Sequence, residues 1–259
     1  MIRPAVIVIT GASSGLGTAL AAAYARPGVT LGLQGRDAQR LATVASACIA
    51  KGAVVKTAIM DVRNKDGMRK LIQDFDKTHP IDLLIANAGI SAGTLGTMGE
   101  SEQQVRDIFA VNVDGVFNSV LPAIPLMQLR KRGQIAIISS LAGIRGLPSC
   151  PAYSASKNAV RAMGEGLRGT LKDNGIEVTV VCPGYIKTPM TDVNNFPMPL
   201  LMSAEKAAEV IVKGLAKNRS RVAFPLALYL PLLLISYLPL WITDPFFAAL
   251  PRKTAMEKK

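Results

Sequence analysis

Ala5-Val6-Ile7-Val8-Ile9-Thr10-Gly11-Ala12-Ser13-Ser14-Gly15-Leu16-Gly17 is the stretch that decides the fold. The run from Ala5 to Ile9 is apolar and mostly β-branched, as expected of a strand covered on both faces. It follows Met1-Ile2-Arg3-Pro4 at once, with no small-residue cleavage site after it, so it is expected to be a buried first strand and not a secretory leader. Three glycines then open an Ala-rich segment of helical character. Glycines let the backbone turn tightly and approach a pyrophosphate, whose charge then faces the helix N-terminus. The spacing is G-x-x-x-G-x-G, not the G-x-G-x-x-G of the general dinucleotide fingerprint. Its place at the first strand–helix junction favours a nucleotide site over an ordinary turn.

The alternation continues outward from this junction. Short β-branched runs at 5–10, 30–34, 54–60, 83–87, 134–139 and 177–182 read as strands. Longer amphipathic or Ala-rich stretches at 15–25, 38–51, 64–78, 101–130, 151–174 and 203–217 read as helices. Nearly continuous apolar strands joined by helices imply an α/β protein with a doubly wound parallel sheet. The Pro- and Met-rich stretch 188–202 has little periodicity and is expected to be a mobile loop. Residues 1–221 are expected to form one catalytic domain and 222–259 an apolar, helical C-terminal appendage with a basic tail.

Composition excludes several classes. The chain has 259 residues, 49% hydrophobic and 19% charged, enough for one sizeable core and too apolar for disorder. Cys48, Cys150 and Cys182 are scattered, which reads as free thiols and argues against a disulfide frame or a metal site. The formal charge of +12 comes without zinc-finger spacing, an RNP-like strand or a basic helical stripe, so nucleic acid is not the expected partner. Half of that charge lies from Lys213 onward, where eight basic residues face Asp244 and Glu257. It flanks an apolar segment, which points to an anionic membrane surface.

Tyr153 and Lys157 stand four apart, so on a helix both side chains leave the same face. An ammonium beside a phenol stabilises the phenolate and is expected to lower its pKa from about 10 toward neutrality. Such a tyrosine can give or take the proton that carbonyl reduction or alcohol oxidation requires. His79, before Pro80, has no partner motif and reads as a loop residue.

Together these motifs resemble the classical short-chain dehydrogenase/reductase family, from Ile7 to about Ser220, on a Rossmann-type fold. The glycine motif 11–17 matches that family's variant. Asp61-Val62 matches its adenine-contacting Asp, and Asn87-Ala88-Gly89 its N-A-G turn, with Ala86 replacing a frequent Asn. Val111-Asn112-Val113 matches the mid-helix Asn, Ser139-Ser140 the catalytic serine and Tyr153-Ser154-Ala155-Ser156-Lys157 the Tyr/Lys pair. Pro183-Gly184-Tyr185-Ile186-Lys187-Thr188 matches the segment flanking the nicotinamide.

The resemblance implies roles. Tyr153 would be the general acid/base, Lys157 would hold the nicotinamide ribose and tune Tyr153, and Ser140 would orient the substrate oxygen. Asn112 would interrupt its helix and hold a water of a proton relay. The cofactor would lie on Gly11, Ser13, Ser14, Gly15, Leu16, Gly17, Arg36, Asp61, Val62, Asn87, Ala88, Gly89, Tyr153, Lys157, Pro183, Gly184, Ile186 and Thr188.

Cofactor choice turns on the end of the second strand, where NAD enzymes carry a carboxylate for the ribose 2′-OH. Counting from Gly11, that position is Gly35, followed by Arg36, whose guanidinium suits a 2′-phosphate. NADP(H) is therefore expected, with NAD(H) open: Asp37 would restore an acid if the register were shifted by two, and Ser14 is not the basic residue that NADP-preferring members often carry.

The substrate pocket would be walled by Ile90, Leu95, Met98, Leu141, Leu147, Cys150, Met190, Phe196, Met198, Leu200 and Met202. Of these, Cys150 and Met190 are expected to join Ser140 and Tyr153 on the substrate. Methionines adapt to varied apolar shapes. An apolar, lipid-like ketone or secondary alcohol is the expected substrate.

Residues 222–243 carry no charge, and their length meets the threshold for a membrane span. Pro225, Pro231 and Pro239 argue against one straight helix. Tyr229, Tyr237 and Trp241 suit an interfacial belt, with Arg219, Arg221, Arg252 and Lys253 bracketing the segment. A membrane-dipping helix pair, a cap or oligomer interface, and a single span all remain open. A homodimer or homotetramer is expected, in the cytoplasm, peripheral on the inner face of a membrane where the tail meets lipid. A non-catalytic nucleotide-binding or scaffold protein, or an epimerase or dehydratase, are the rival functions on the same fold.

Overall fold

The computed structural model describes residues 4–94 and 99–249, together with Lys253 and Ala255. The chain alternates β1 (Val6–Ile9), α1 (Gly15–Tyr24), β2 (Thr30–Gly35), α2 (Ala38–Ala50), β3 (Val54–Ile59), α3 (Lys65–Thr78) and β4 (Leu83–Ala86). It continues with α4 (Glu102–Phe109), α5 (Gly115–Val120), α6 (Ala123–Arg130), β5 (Gly133–Ile138), α7 (Pro151–Leu171) and β6 (Ile176–Pro183). The last elements are α8 (Pro189–Asp192), α9 (Ala204–Ala216), β7 (Arg221–Phe224), α10 (Leu226–Ile235) and α11 (Leu240–Ala248).

All seven strands are parallel, in the order β3-β2-β1-β4-β5-β6-β7. The expected doubly wound α/β architecture is thus present. Its apolar strands alternate between two cores. Ile7, Ile9, Leu83, Ile85, Ala136 and Ile138 pack under α1, α2 and α9. Val8, Leu84, Ala86, Ile135 and Ile137 pack under α3, α5, α6 and α7. Successive side chains point to opposite faces, so an unbroken apolar run is what a two-sided sheet needs.

The structure corrects several expectations. β3 is not covered on both faces, because it is the sheet edge: Val54 and Ile59 are exposed. The helix expected over 101–130 is interrupted at Ala110–Asp114 by a π-turn centred on Asn112, and again before α6 at Pro122, which has no N–H to donate. The stretch 188–202 is not structureless, since α8 lies within it and Met202 bridges to Ile186. The apolar segment from Val222 begins as β7, paired with β6, so the boundary expected at 221 would cut a strand; the appendage starts after Phe224.

The glycine loop after β1 is held from beneath. The buried Gln34 accepts from Gly11 N at 3.1 Å and donates to Met60 O. A Gln34→Leu variant leaves both backbone groups unpaired, at about 1–3 kcal/mol each. We expect a fall in Tm of roughly 5 °C or more, with weaker dinucleotide binding, checked by thermal melting and cofactor titration.

Candidate active site

The sheet reverses direction of winding between β1 and β4, and a cleft opens there at the C-terminal strand ends. Asn87 N and Ala88 N donate to Thr10 Oγ1 at 3.0 and 3.2 Å, and Asn87 Nδ2 donates to Thr10 O and Gly11 O. These bonds tie the two diverging loops together. Gly11 and Gly15 have φ of +65° and +53°, and a Cβ on Gly11 would lie 2.8 Å from Ala88 Cα. The loop can therefore take this shape only with glycine.

The helix that follows is open toward the cleft. Side chains of Asp37, Asn64, Ser101 and Ser203 cap α2, α3, α4 and α9, whereas no side chain caps α1. Its first N–H groups face the cleft unsatisfied, a fit for an anionic pyrophosphate. Ser13, Ser14, Gly15, Leu16, Arg36, Asp61, Val62, Asn87, Ala88, Gly89, Pro183, Gly184, Ile186 and Thr188 all line this cleft, with Gly11. Gly17 does not. A Cβ there would lie 2.2 Å from Gly11 O, so it serves helix–loop packing.

At the adenine end, β2 finishes at Gly35, whose Cβ would meet Ser13 Oγ at 2.9 Å. Arg36 is exposed on the cleft rim, 3.7 Å from Asp61. Asp37 is spent elsewhere: it accepts from Arg40 N at 2.9 Å as the cap of α2. Partial burial pushes the Asp61 carboxyl up, but the hydrogen bonds and charge of Arg63 outweigh it and hold it low.

At the other end the structure brings Ser140, Tyr153, Lys157 and Asn112 together. Ser140 follows β5 by two residues; its hydroxyl donates to Pro183 O at 3.5 Å and lies close enough to the Tyr153 phenol to favour its ionised form. Ala142 N donates to Ser140 Oγ at 3.1 Å and fixes it. Ser139 turns away, donating to Lys157 O at 2.7 Å. Tyr153 and Lys157 lie one turn apart on α7. Asn112 accepts from Ile90 N at 2.8 Å and donates to Ile90 O and Ser156 Oγ at 2.9 and 3.0 Å. The π-turn frees this amide to hold the segment after the N-A-G turn.

The expected lowering of the Tyr153 pKa is not found. Burial pushes the phenol up to about 12, and the Ser140 hydrogen bond only partly offsets this. Lys157 donates to Ile138 O at 3.0 Å, and burial pulls its ammonium down to about 8. Withdrawal from water favours the neutral form of both groups.

The expected substrate wall is mostly elsewhere. Ile90 and Met190 line the cleft. Cys150 does not, because it is buried at the N-terminus of α7. Leu141 packs with Cys182, Met202 packs against the α9 core, Leu200 is exposed and Phe196 lies edge-on to Tyr185. Leu95 and Met98 lie outside the described residues. Gln34, Ile138, Pro189 and Thr191 line the cleft without having been singled out, as does Val111 of the Asn112 motif, to which no site role was given. Their signal was only position beside a motif. Among the described residues no cluster could hold a metal ion.

A family model of short chain dehydrogenases matches residues 5–197. An oxidoreductase of Myxococcus xanthus is 38% identical over 247 residues, covering 95% of this chain and 96% of that relative. The chain belongs to the short-chain dehydrogenase/reductase family. A ketoacyl reductase of a Nostoc species is 33% identical, covering 83% of this chain and 77% of the relative. Among solved structures, a short-chain dehydrogenase from Sphingobium yanoikuyae in complex with NADPH superposes with TM-score 0.80 at 22% identity, covering 97% of this chain and 98% of that one. A Mycobacterium paratuberculosis short chain dehydrogenase bound to NAD gives 0.74 at 25%, covering 84% and 94%. The chain is an oxidoreductase acting on CH–OH or C=O groups with NAD(P).

This short-chain dehydrogenase/reductase carries its pH dependence in Lys157. Below about pH 8 the ammonium is charged and above it neutral. We expect kcat/KM for carbonyl reduction to be level at lower pH and to fall above roughly pH 8, since this parameter reports the free enzyme. A pH–rate profile level to about pH 10 would contradict this.

Proposed function

We propose that the enzyme reduces the carbonyl of compounds with an apolar body, using NADPH. The observation that carries this reading is the Tyr153 phenol, held protonated by burial and placed with Ser140 and Lys157 in the lining of the dinucleotide cleft. A neutral phenol donates a proton; that is the form reduction needs. When bound, the reduced nicotinamide supplies a hydride to the carbonyl carbon. Tyr153 gives its proton to the carbonyl oxygen, and Ser140 donates a hydrogen bond to the same oxygen as its charge develops. Lys157 keeps a cation beside the tyrosine. Asn112 holds Ile90 on the apolar side of the cleft.

Three features support NADPH over NADH. Gly35 leaves the terminus of β2 without a carboxylate, Asp37 caps α2, and Arg36 presents an exposed guanidinium. Ile90 and Met190, and the ketoacyl reductase among the relatives, support an apolar, acyl-like substrate. NADPH oxidation with a panel of ketones tests the reading. Tyr153→Phe should lower kcat by about three orders of magnitude or more with cofactor binding retained, and Arg36→Asp should shift preference to NADH. Retained turnover in Tyr153→Phe would refute the assignment.

A specific observation also supports a lipid surface as partner. α10 and α11 are ten and nine residues long, about 15 Å each, too short to span a bilayer. α10 has no fully buried residue, and Leu230, Leu234, Tyr237, Trp241 and Phe246 are exposed. Their other side is docked: Arg221 donates to Tyr229 Oη at 2.8 Å, and Arg145 to Thr243 Oγ1 at 2.8 Å and Asp244 at 3.0 Å. A docked helix pair with an aromatic, apolar outer face on a chain of net charge +12 suits the interface of an anionic membrane. The bracketing Arg252 lies outside the described residues. Among the described residues, only the run Glu102–Arg130, which holds α4, the π-turn, α5 and α6, is long and apolar enough to cross a membrane, and half of its apolar window is buried in the protein. Trp241 is the sole tryptophan. Its emission should shift to the blue on adding phosphatidylglycerol vesicles. Emission that moves instead with protein concentration alone would assign the face to a second copy of the chain.

A further inference from the structure

Past α11 the chain returns to the tyrosine. Lys253 lies outside the family-matched residues, yet its Nζ stands 5.6 Å from the centre of the Tyr153 ring. Lys157 Nζ approaches the same ring at 5.9 Å. The two ammoniums have different surroundings. Lys157 faces Ile138 O and lines the cofactor cleft. Lys253 donates to Ser91 Oγ at 2.7 Å, on the segment after the N-A-G turn. The backbone makes room for it. A Cβ on Gly93 would lie 2.3 Å from Lys253 O and 2.5 Å from its Cβ, so only glycine admits Lys253 at this place.

Lys253 is half-buried, and none of the described carboxylates pairs with it. Glu100, close to Cys150, is engaged with Ala152 N and Gln104. Among the described residues, the Cys150 thiol and the Tyr153 phenol stand near Lys253, both held neutral by burial. An ammonium withdrawn from water with one hydroxyl partner has N–H donors to spare and an uncompensated loss of hydration. An anion supplied by a ligand would satisfy both. Lys253 Nζ stands beside the ring of the tyrosine that protonates the substrate in the proposed reaction.

We propose that Lys253 and Ser91 bind an anionic group of the substrate, which is an oxo compound carrying a carboxylate one or two carbons from its carbonyl. The proposal rests on Tyr153 as proton donor and names the substrate class within that reading: an apolar body with an acidic end. Lys253 makes and breaks no bond in the reaction. It positions the substrate and selects it.

The test compares a long-chain 3-oxo acid with its neutral methyl ester, by NADPH oxidation and by calorimetric binding to the enzyme–NADPH complex. Wild type should favour the acid. Lys253→Met should lower the acid-to-ester ratio of kcat/KM tenfold or more, mainly through the KM of the acid, and weaken acid binding in proportion. Lys253→Arg should restore most of the ratio, and Gly93→Val, which displaces the Lys253 backbone, should lower it as Lys253→Met does. An unchanged ratio in Lys253→Met, or a wild-type preference for the ester, overturns the proposal. Absence of NADPH oxidation with every ketone while the acid still binds through Lys253 would instead count against the assigned reaction.

Discussion

The constraint on which the molecule depends is the clasp between the ends of β1 and β4. Here neighbouring parallel strands send their connections to opposite faces of the sheet, and the two departing loops must be tied to each other past the end of the β1–β4 ladder. Thr10 and Asn87 do, through four hydrogen bonds that use one hydroxyl and one amide. Because the clasp fixes Gly11, the open N-terminus of α1 keeps its aim along the cleft. Because it fixes Asn87 and Ala88, Gly89 passes the point where a Cβ would lie 3.2 Å from both Asn112 Oδ1 and Lys157 Nζ. One pair of polar side chains thus connects the dinucleotide cradle to the chemical end of the cleft. A polar network of this kind holds because its members are bonded to one another, here through Thr10 Oγ1 and Asn87 Nδ2.

The chemical end is governed by desolvation more than by the pairing of charges. A cation near a phenol lowers its pKa only if the phenolate can be solvated or closely paired, and here burial dominates both groups. The site as built stores a proton on Tyr153 and holds Lys157 near the edge of its own titration. Ser140 is the one neighbour whose hydrogen bond pulls the phenol back toward ionisation. A protonated phenol is the form that the proposed reduction uses.

The sequence made most of this legible because it is written in backbone requirements and periods. The unbroken apolar runs are forced by a sheet with two covers, and Gly11 and Gly15 by their positive φ. Asn112 was marked by its place in mid-helix, where an amide disturbs the ladder. What could not be read was whatever depends on packing between distant segments. Gln34 looked like part of a strand, and its role appears only when Gly11 and Met60 flank it. Cys150 and Leu141 lie in the expected wall by position but face inward. The fall in the Tyr153 pKa was inferred from spacing alone, and spacing carries no information about burial. β7 was hidden because its apolar residues merged with those of α10.

That merger has a physical reading. β7 feeds α10 directly, so the last strand of the sheet positions the appendage. α10 rests by Leu228, Tyr229 and Leu232 on Leu141 and Cys182, immediately behind Ser140. α11 rests on Arg145, whose guanidinium stacks over Phe247 at 5.2 Å. The two helices thereby cover the segment between Ser140 and Tyr153 with one side and leave the other apolar side exposed. Lys253 follows within a few residues and reaches Tyr153 itself. The backing of the segment between Ser140 and Tyr153 is thus built from residues beyond the 5–197 that the family model matches.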